Sequence, residues 1–571
     1  MKIDAFLVLQ RSDVAHFAAH QAAYDGVPCI FIEPGLIEDA LLAGLDSSRF
    51  DFRRVAVEPE FMAGITAEAT TRALAIDQAM TRERERLFGA GVLQGWDHAL
   101  LRLFLTRALT ARNLGALCRR DFPERAIGVF RPSRPQLFYF DSFLTTELFT
   151  AGDPRWRVVD TYDATRNWVE TLANCFDFDR IREAAGAASA VTHIPTCYAD
   201  GARFVAEIVH GFATNIDLPS PFWDQPVRRG DRPLLADLRA AEQAYPAHAA
   251  LASGYREHAW HVLDEHFRGL PIGDAGRRTQ LDYLADQCRI QAFNFLGLRD
   301  ALRGRRPAFI VADQDTGSNG PLFSIAAELD APITILPHSS YPTTLAPHAR
   351  RVVAIERNGC RTPVRTVLGD RVAMQPAQLG ARPATARGRI QTVCLLLNTM
   401  YSDGLSYIDF YGLEEFHRLL AAACRAAGVA LWVRPKPSRG SHHVLSGLLG
   451  IPLEALAATE RAPLESVAER ADLCVSYGEP STAVFRFLDA ASFVLNVNRQ
   501  QWPSDYLFTP TLFGERTLPV MDHAQAIEMI ATLARNPEAF IRALESQQQA
   551  FRRRMSAAGD RIFAAASTAA A

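Results

Sequence analysis

A chain of 571 residues is too long for one hydrophobic core and, at roughly 150 residues per domain, should hold three or four units. Apolar residues make up 48% and charged residues 22%, and 61 basic against 64 acidic side chains leave a formal charge of −3, which excludes a disordered chain and a broadly basic nucleic-acid binder. No apolar run reaches the roughly 18 residues of a membrane span, and nine cysteines without a CxxC pair read as buried thiols of a reducing, cytoplasmic compartment.

The chain opens on a strand, Ala5 to Leu9, with an acid at Asp4 and no small-residue cleavage site, unlike a signal peptide. Helical spacing over Val14 to Tyr24, a break at Asp25-Gly26 and a second apolar run at Val27 to Ile32 make a strand–helix–strand unit of the parallel α/β kind. Ala67 to Arg120 has helical period, and strands return at Ala126 to Phe130, Arg157 to Val159 and Ala190 to His193. Residues 1–220 therefore read as a Rossmann-like α/β region with a helical insertion. Proline, glycine and charge from Asn215 to Arg232 mark its end.

Residues 233–370 read as a helical segment to Arg305 followed by an acceptor-side α/β domain: strand Ala308 to Ala312, helix Pro321 to Leu329, strand Ile333 to Leu336. Its two loops, Asp313 to Gly320 and Pro337 to Ser340, lie at strand carboxyl ends, where open parallel sheets bind ligands. Ala, Pro, Gly and Arg dominate 371–389, which reads as a linker. Residues 390–522 then read as a second sheet domain, with strands Thr392 to Leu397, Ala430 to Val433, Leu473 to Ser476 and Phe493 to Val497. Helices and an alanine-rich tail fill 523–571.

Two loops of that domain suit a phosphate. Arg434-Pro435-Lys436-Pro437-Ser438 is stiffened by two prolines and puts two cations at a strand end. Ser476-Tyr477-Gly478-Glu479-Pro480-Ser481-Thr482 offers hydroxyls and unpaired N–H groups at the start of a helix. A solvated basic turn and ordinary N-capping by Ser481 or Thr482 are the plain alternatives. His442-His443 reads as a polar turn, and no nucleophile elbow, P-loop, dinucleotide fingerprint or HExxH helix is present.

The order of strand, Arg-Pro-Lys-Pro loop, strand ending Leu473-Cys474-Val475-Ser476, hydroxyl-rich turn and apolar-faced helix resembles the donor half of GT-B glycosyltransferases. It is most similar to the bacterial sialyltransferase, polysialyltransferase and capsule Kdo-transferase group, which use CMP-sugars; Lys436 stands where that group's loop has a histidine. The resemblance implies a GT-B-like α/β fold, two Rossmann-type sheet domains facing a cleft, with an additional N-terminal α/β region. It implies that Arg434, Lys436, Ser438, Ser476, Glu479, Ser481, Thr482 and Asn398 hold the nucleotide-sugar. In Asp313-Gln314-Asp315-Thr316-Gly317 it implies an acceptor base, Asp315, with Asp313 beside it to raise its pKa, and His338 assisting. A metal-binding Asp-x-Asp is the rival reading of Asp313 and Asp315; no obligatory metal or cofactor is expected beyond the nucleotide-sugar co-substrate.

Arg157 to Asp163, Ala190 to Thr196 and His210 to Asp217 resemble the closing strands of a GT-B acceptor domain. Either an extra transferase-like half precedes a complete enzyme, or the N-terminal sheet and Ala308 to Leu336 build one enlarged acceptor domain. The expected partners are a nucleotide-sugar donor and a glycan, lipid-linked or protein acceptor, with no nucleic acid; peripheral contact with the inner face of a membrane stays open. The alternatives in function are a CDP-polyol phosphotransferase of the teichoic-acid type and a non-catalytic, transferase-like glycan-binding or scaffold protein.

Overall fold

The computed structural model describes residues 2–9, 11–32, 34–55, 58, 61–89, 98–132, 143–150, 153–161, 174–185, 190–193, 215–217, 234–270, 274–305, 309–313, 321, 324–325, 328–329, 333–336, 352–356, 372–376, 387–397, 410–436, 442–478, 483–497 and 519–556. These residues form three separate parallel sheets.

The N-terminal sheet contains β1 (Ala5–Val8), β2 (Cys29–Phe31), β3 (Phe50–Phe52), β4 (Ile127–Pro132) and β5 (Trp156–Thr161) in the spatial order β3-β2-β1-β4-β5, all parallel. That is the Rossmann order. β1 reads Ala-Phe-Leu-Val with every residue buried, as a strand covered on both faces must. Phe6 and Phe130 stack at 4.9 Å on one face, beneath α1 (Arg11–Ala19) and α2 (Pro34–Leu42). Ala5, Leu7 and Val129 face the main core, which α3 (Phe61–Phe88) and α4 (His98–Asp121) complete. These two helices are the expected insertion, and they occupy the crossover between β3 and β4.

The middle sheet runs in the order β13-β12-β11-β10-β7-β8, from β7 (Ala190–His193), β8 (Asn215–Asp217), β10 (Phe309–Asp313), β11 (Ile333–Leu336), β12 (Val352–Glu356) and β13 (Val372–Pro376). Sheet membership therefore divides the chain differently from the expected break near residue 220. β7 pairs with β10 from Ala190↔Phe309 to His193↔Ala312, so the N-terminal sheet ends at β5 and the strands at 190–217 belong to the middle one. The first and middle sheets share no strand pairing. The 371–389 stretch is likewise not all linker: Val372–Pro376 pairs with β12 along its whole length, its backbone accepting strand geometry despite a composition rich in alanine and proline.

The chain also forms a short antiparallel pair, β6 (Asn174–Phe176) with β9 (Leu235–Asp237), and a helical layer. The layer comprises α5 (Phe143–Thr150), α6 (Phe178–Ala184), α7 (Leu238–Ala244), α8 (Pro246–Phe267) and α9 (Asp274–Ala301), packed with α3 and α4. Gly297 on α9 leaves room for the Phe178 ring, and Gly115 on α4 for the backbone of Phe149.

The third sheet contains β14 (Thr392–Leu397), β15 (Ala430–Arg434), β16 (Leu473–Tyr477), β17 (Phe493–Val497) and β18 (Val520–Met521), ordered β15-β14-β16-β17-β18 and parallel throughout. Helices α10 (Phe410–Ala427), α11 (His442–Leu449), α12 (Leu453–Arg461), α13 (Leu464–Arg470), α14 (Val484–Asp489), α15 (His523–Arg535) and α16 (Pro537–Ser556) surround it. One face, with Cys394 and Cys474, packs into the main core, and the other, with Val393, Leu395 and Val475, makes a core of its own with α10, α15 and α16. The unit touches the N-terminal one: α2 packs on α11, and the Tyr411 ring lies 5.0 Å from that of Phe52.

The seven described cysteines, Cys29, Cys118, Cys175, Cys288, Cys394, Cys424 and Cys474, are all buried. Burial pushes the Cys29 thiol up to about 11 and that of Cys394 to about 12, which keeps them protonated and inert. No helix among the described residues is long and apolar enough to cross a membrane.

Candidate functional site

Strand order defines the site. Numbered within the unit, the third sheet runs 2-1-3-4-5, so the chain leaves β14 to one side and returns as β16 on the other, opening the crevice where such sheets take ligands. The Arg434 loop follows β15 and the Gly478 turn follows β16, so the two flank the carboxyl end of β14. Register makes this concrete: Leu396 pairs with Arg434 on one side and with Ser476 on the other.

Arg434 is the last residue of β15 and is only 4% exposed. Its Nη1 donates to the carbonyls of Thr459 and Ala462, the latter at 2.9 Å, at the carboxyl end of α12. Helix ends leave such carbonyls without internal partners, and an arginine is a suitable cap. Burial holds the guanidinium below its ordinary pKa. The Thr459 hydroxyl in turn donates to the Val433 carbonyl at 2.6 Å, so α12 and the end of β15 are clamped together. Arg434 thus sets where the loop begins. Lys436, two residues on, is exposed and carries the loop's charge to the surface.

Ser476 lies inside β16 and is 2% exposed, so the turn proper starts at Gly478, whose φ of +75° is the left-handed conformation that glycine adopts freely. Asn496 on β17, buried in an apolar strand, fixes this turn. Its Nδ2 donates to the carbonyls of Ser476 at 2.9 Å and Gly478 at 2.8 Å, while the Gly478 N–H donates to Val497. The signal for Asn496 was one amide in Phe-Val-Leu-Asn-Val, a position where an unpaired polar group would be costly. Tyr477 closes the same edge: its hydroxyl is 3.2 Å from Nε2 of His523, and both rings lean on Phe416.

Asn398, Ser438, Glu479, Ser481 and Thr482 lie outside the described residues, as do Asp315 and His338. Asp313 is described as the backbone end of β10, paired with Leu336. His442 and His443 form no polar turn but begin α11. His442 Nε2 stands 2.7 Å from Glu460, near enough for an ion pair though not aligned as a hydrogen bond, and His443 faces Glu38. No cluster of three metal-ligating side chains occurs among the described residues.

No family model and no curated protein matches the chain. Solved structures that are similar to it include CalG4, the calicheamicin glycosyltransferase, at 13% identity and TM-score 0.37 over 67% of this chain and 100% of the other. The glycosyltransferase SnogD from Streptomyces nogalater has 14% identity and TM-score 0.33 over 66% and 98%. The pneumococcal O-GlcNAc transferase GtfA, in complex with UDP and GlcNAc, has 12% identity and TM-score 0.33 over 49% and 60%. Likeness at this level decides nothing about the chain, whose fold rests on its own strand order.

Proposed function

We propose that the protein is a GT-B-type glycosyltransferase that binds a nucleotide-sugar at the carboxyl edge of its third sheet. The observation that carries this reading is the switch point at β14, flanked by the basic loop after β15 and the glycine turn after β16. On this reading Lys436, beside the Gly478 turn, meets the anion, and Ser481 and Thr482 are the hydroxyls that the sequence resemblance implies for it. The sugar is a CMP-linked acidic one by the sequence resemblance, the acceptor a surface glycan, glycolipid or glycoprotein, and Asp315 the base that takes the acceptor proton.

The test is a melting-temperature screen with free CMP, CDP, UDP and GDP, because a ligand that binds only the folded chain stabilises it by about 2.7 kcal/mol at a hundredfold excess over Kd. One nucleotide should raise the melting point; a flat response to all four sinks the proposal. With the donor identified, Asp315→Ala should cost transfer about a hundredfold or more, the usual contribution of a general base. Activity lost to EDTA and restored by manganese would instead favour the metal-binding reading of Asp313 and Asp315.

A further inference from the structure

Where the N-terminal unit meets the third, the carboxylate of Glu38 on α2 is enclosed against α11, its side chain 8% exposed. Oε1 lies 3.4 Å from Nδ1 of His443, the second residue of α11, and Oε2 is buried with no hydrogen-bond partner among the described residues. A buried carboxylate is costly unless it is both paired and fully hydrogen-bonded, and a single long contact with an imidazole meets neither demand. An ionised carboxylate only accepts, so what Glu38 lacks is a donor.

The position of this defect is informative. α11 is the helix that follows the Arg434 to Ser438 loop, so His443 stands on the same side of the third unit as Lys436, while Glu38 comes from the other unit. His443 is 51% exposed, and its one described polar contact is Glu38, so the carboxylate lies one rotatable side chain beneath the surface. A phosphate does not suit this seam, because it brings acceptors and negative charge to a carboxylate. A sugar ring does: its hydroxyls are donors to Glu38 and take either role towards an imidazole nitrogen.

We propose that Glu38 and His443 form a sugar-hydroxyl subsite at the junction of the N-terminal and third units, occupied by the sugar of the nucleotide-sugar donor. A hydroxyl donates to Glu38 Oε2, and the imidazole, turned outward, bonds a neighbouring hydroxyl. The N-terminal sheet unit is then part of the donor site and not an appendage to it. This rests on the nucleotide-sugar reading above.

The test titrates the full-length protein and its Glu38→Gln and His443→Ala variants with the free nucleotide that raises the melting point and with nucleotide-sugars of the same base. The wild type should bind one nucleotide-sugar more tightly than the free nucleotide. Both variants should bind the free nucleotide as the wild type does, within about twofold, yet lose about tenfold or more for the nucleotide-sugar, the loss expected for a hydrogen bond to a charged group. Glu38→Gln should melt no lower than the wild type, since it removes an under-satisfied buried charge. Nucleotide-sugar binding unchanged in Glu38→Gln would overturn the proposal and leave Glu38 partnered by water alone. Equal weakening of nucleotide and nucleotide-sugar together with a lower melting point would also overturn it, by making the pair a structural contact. Absence of any nucleotide binding in the wild type would remove the parent reading as well.

Discussion

At the scale of single residues, two cations of one loop do different work. Arg434 is buried and caps α12, so Arg434→Met should orphan the carbonyls of Thr459 and Ala462 and cost about 2 kcal/mol in urea unfolding. Lys436 is exposed, so Lys436→Met should leave stability within about 0.5 kcal/mol while weakening nucleotide binding in calorimetric titration about tenfold. Equal effects of the two substitutions on stability would contradict this division. Glycines give a second contrast. A Cβ at Gly115 would overlap the backbone carbonyl of Phe149, whereas one at Gly297 would meet the ring of Phe178. Both alanine variants should lose about 1–3 kcal/mol, Gly115→Ala the more, because a ring can move aside more readily than packed backbone. His417 adds a pH dependence. Burial, with Arg425 adding to it, lowers its pKa, so the folded state holds the neutral ring while the unfolded chain takes up a proton near pH 6.5. Stability should therefore fall as pH drops below about 6.5 towards the folded pKa, and His417→Leu should flatten that part of a melting-temperature profile.

At the scale of elements, the third sheet is held at its amino edge by one carboxylate. Asp472, just before β16, accepts from the N–H groups of Gln391 and Thr392 at 2.8 and 2.9 Å and pairs with Arg387 at 2.9 Å. Arg387 also donates to the carbonyls of Ala468, Glu469 and Ala490, tying α13 and α14 to the start of β14. Asp472→Ala leaves the guanidinium and two backbone donors without their acceptor and should cost about 3 kcal/mol or more in chemical denaturation. The helices and strands of this unit were legible in the sequence because each has a clean period: Phe410–Ala427 places Leu413, Phe416, Leu420 and Cys424 on one buried face. α11, α12 and β18 were not, the two helices because each is short and lies between glycine or proline breaks, the strand because two residues carry no period.

At the scale of the molecule, the first sheet, the helical layer and the third sheet are joined by apolar packing that no single segment announces. Residues as distant as Leu7, Phe293 and Phe487 belong to one continuous core. The N-terminal and third units also meet directly, where the Tyr411 hydroxyl donates to the Phe52 carbonyl at 3.4 Å and Arg54 lies 5.6 Å over the Tyr411 ring. Tyr411→Ala should loosen this contact and split calorimetric unfolding into separable transitions; one unchanged cooperative peak would show that the shared core alone couples the units.

The sequence by itself determined the class of the fold, since continuous apolar runs alternating with helical periods allow little but parallel α/β units, and it placed the basic loop and the glycine turn at strand ends. Tertiary structure decided which strands share a sheet. Ala190–His193 reads equally well as the close of the first sheet or an inner strand of the second, because an inner parallel strand is apolar whichever neighbours it pairs with. It also decided that Arg434 serves α12, that Asn496 fixes the Gly478 turn and that Glu38 meets His443 across 405 positions of chain. Such partners are set by the packing of whole units, and local pattern holds no record of them.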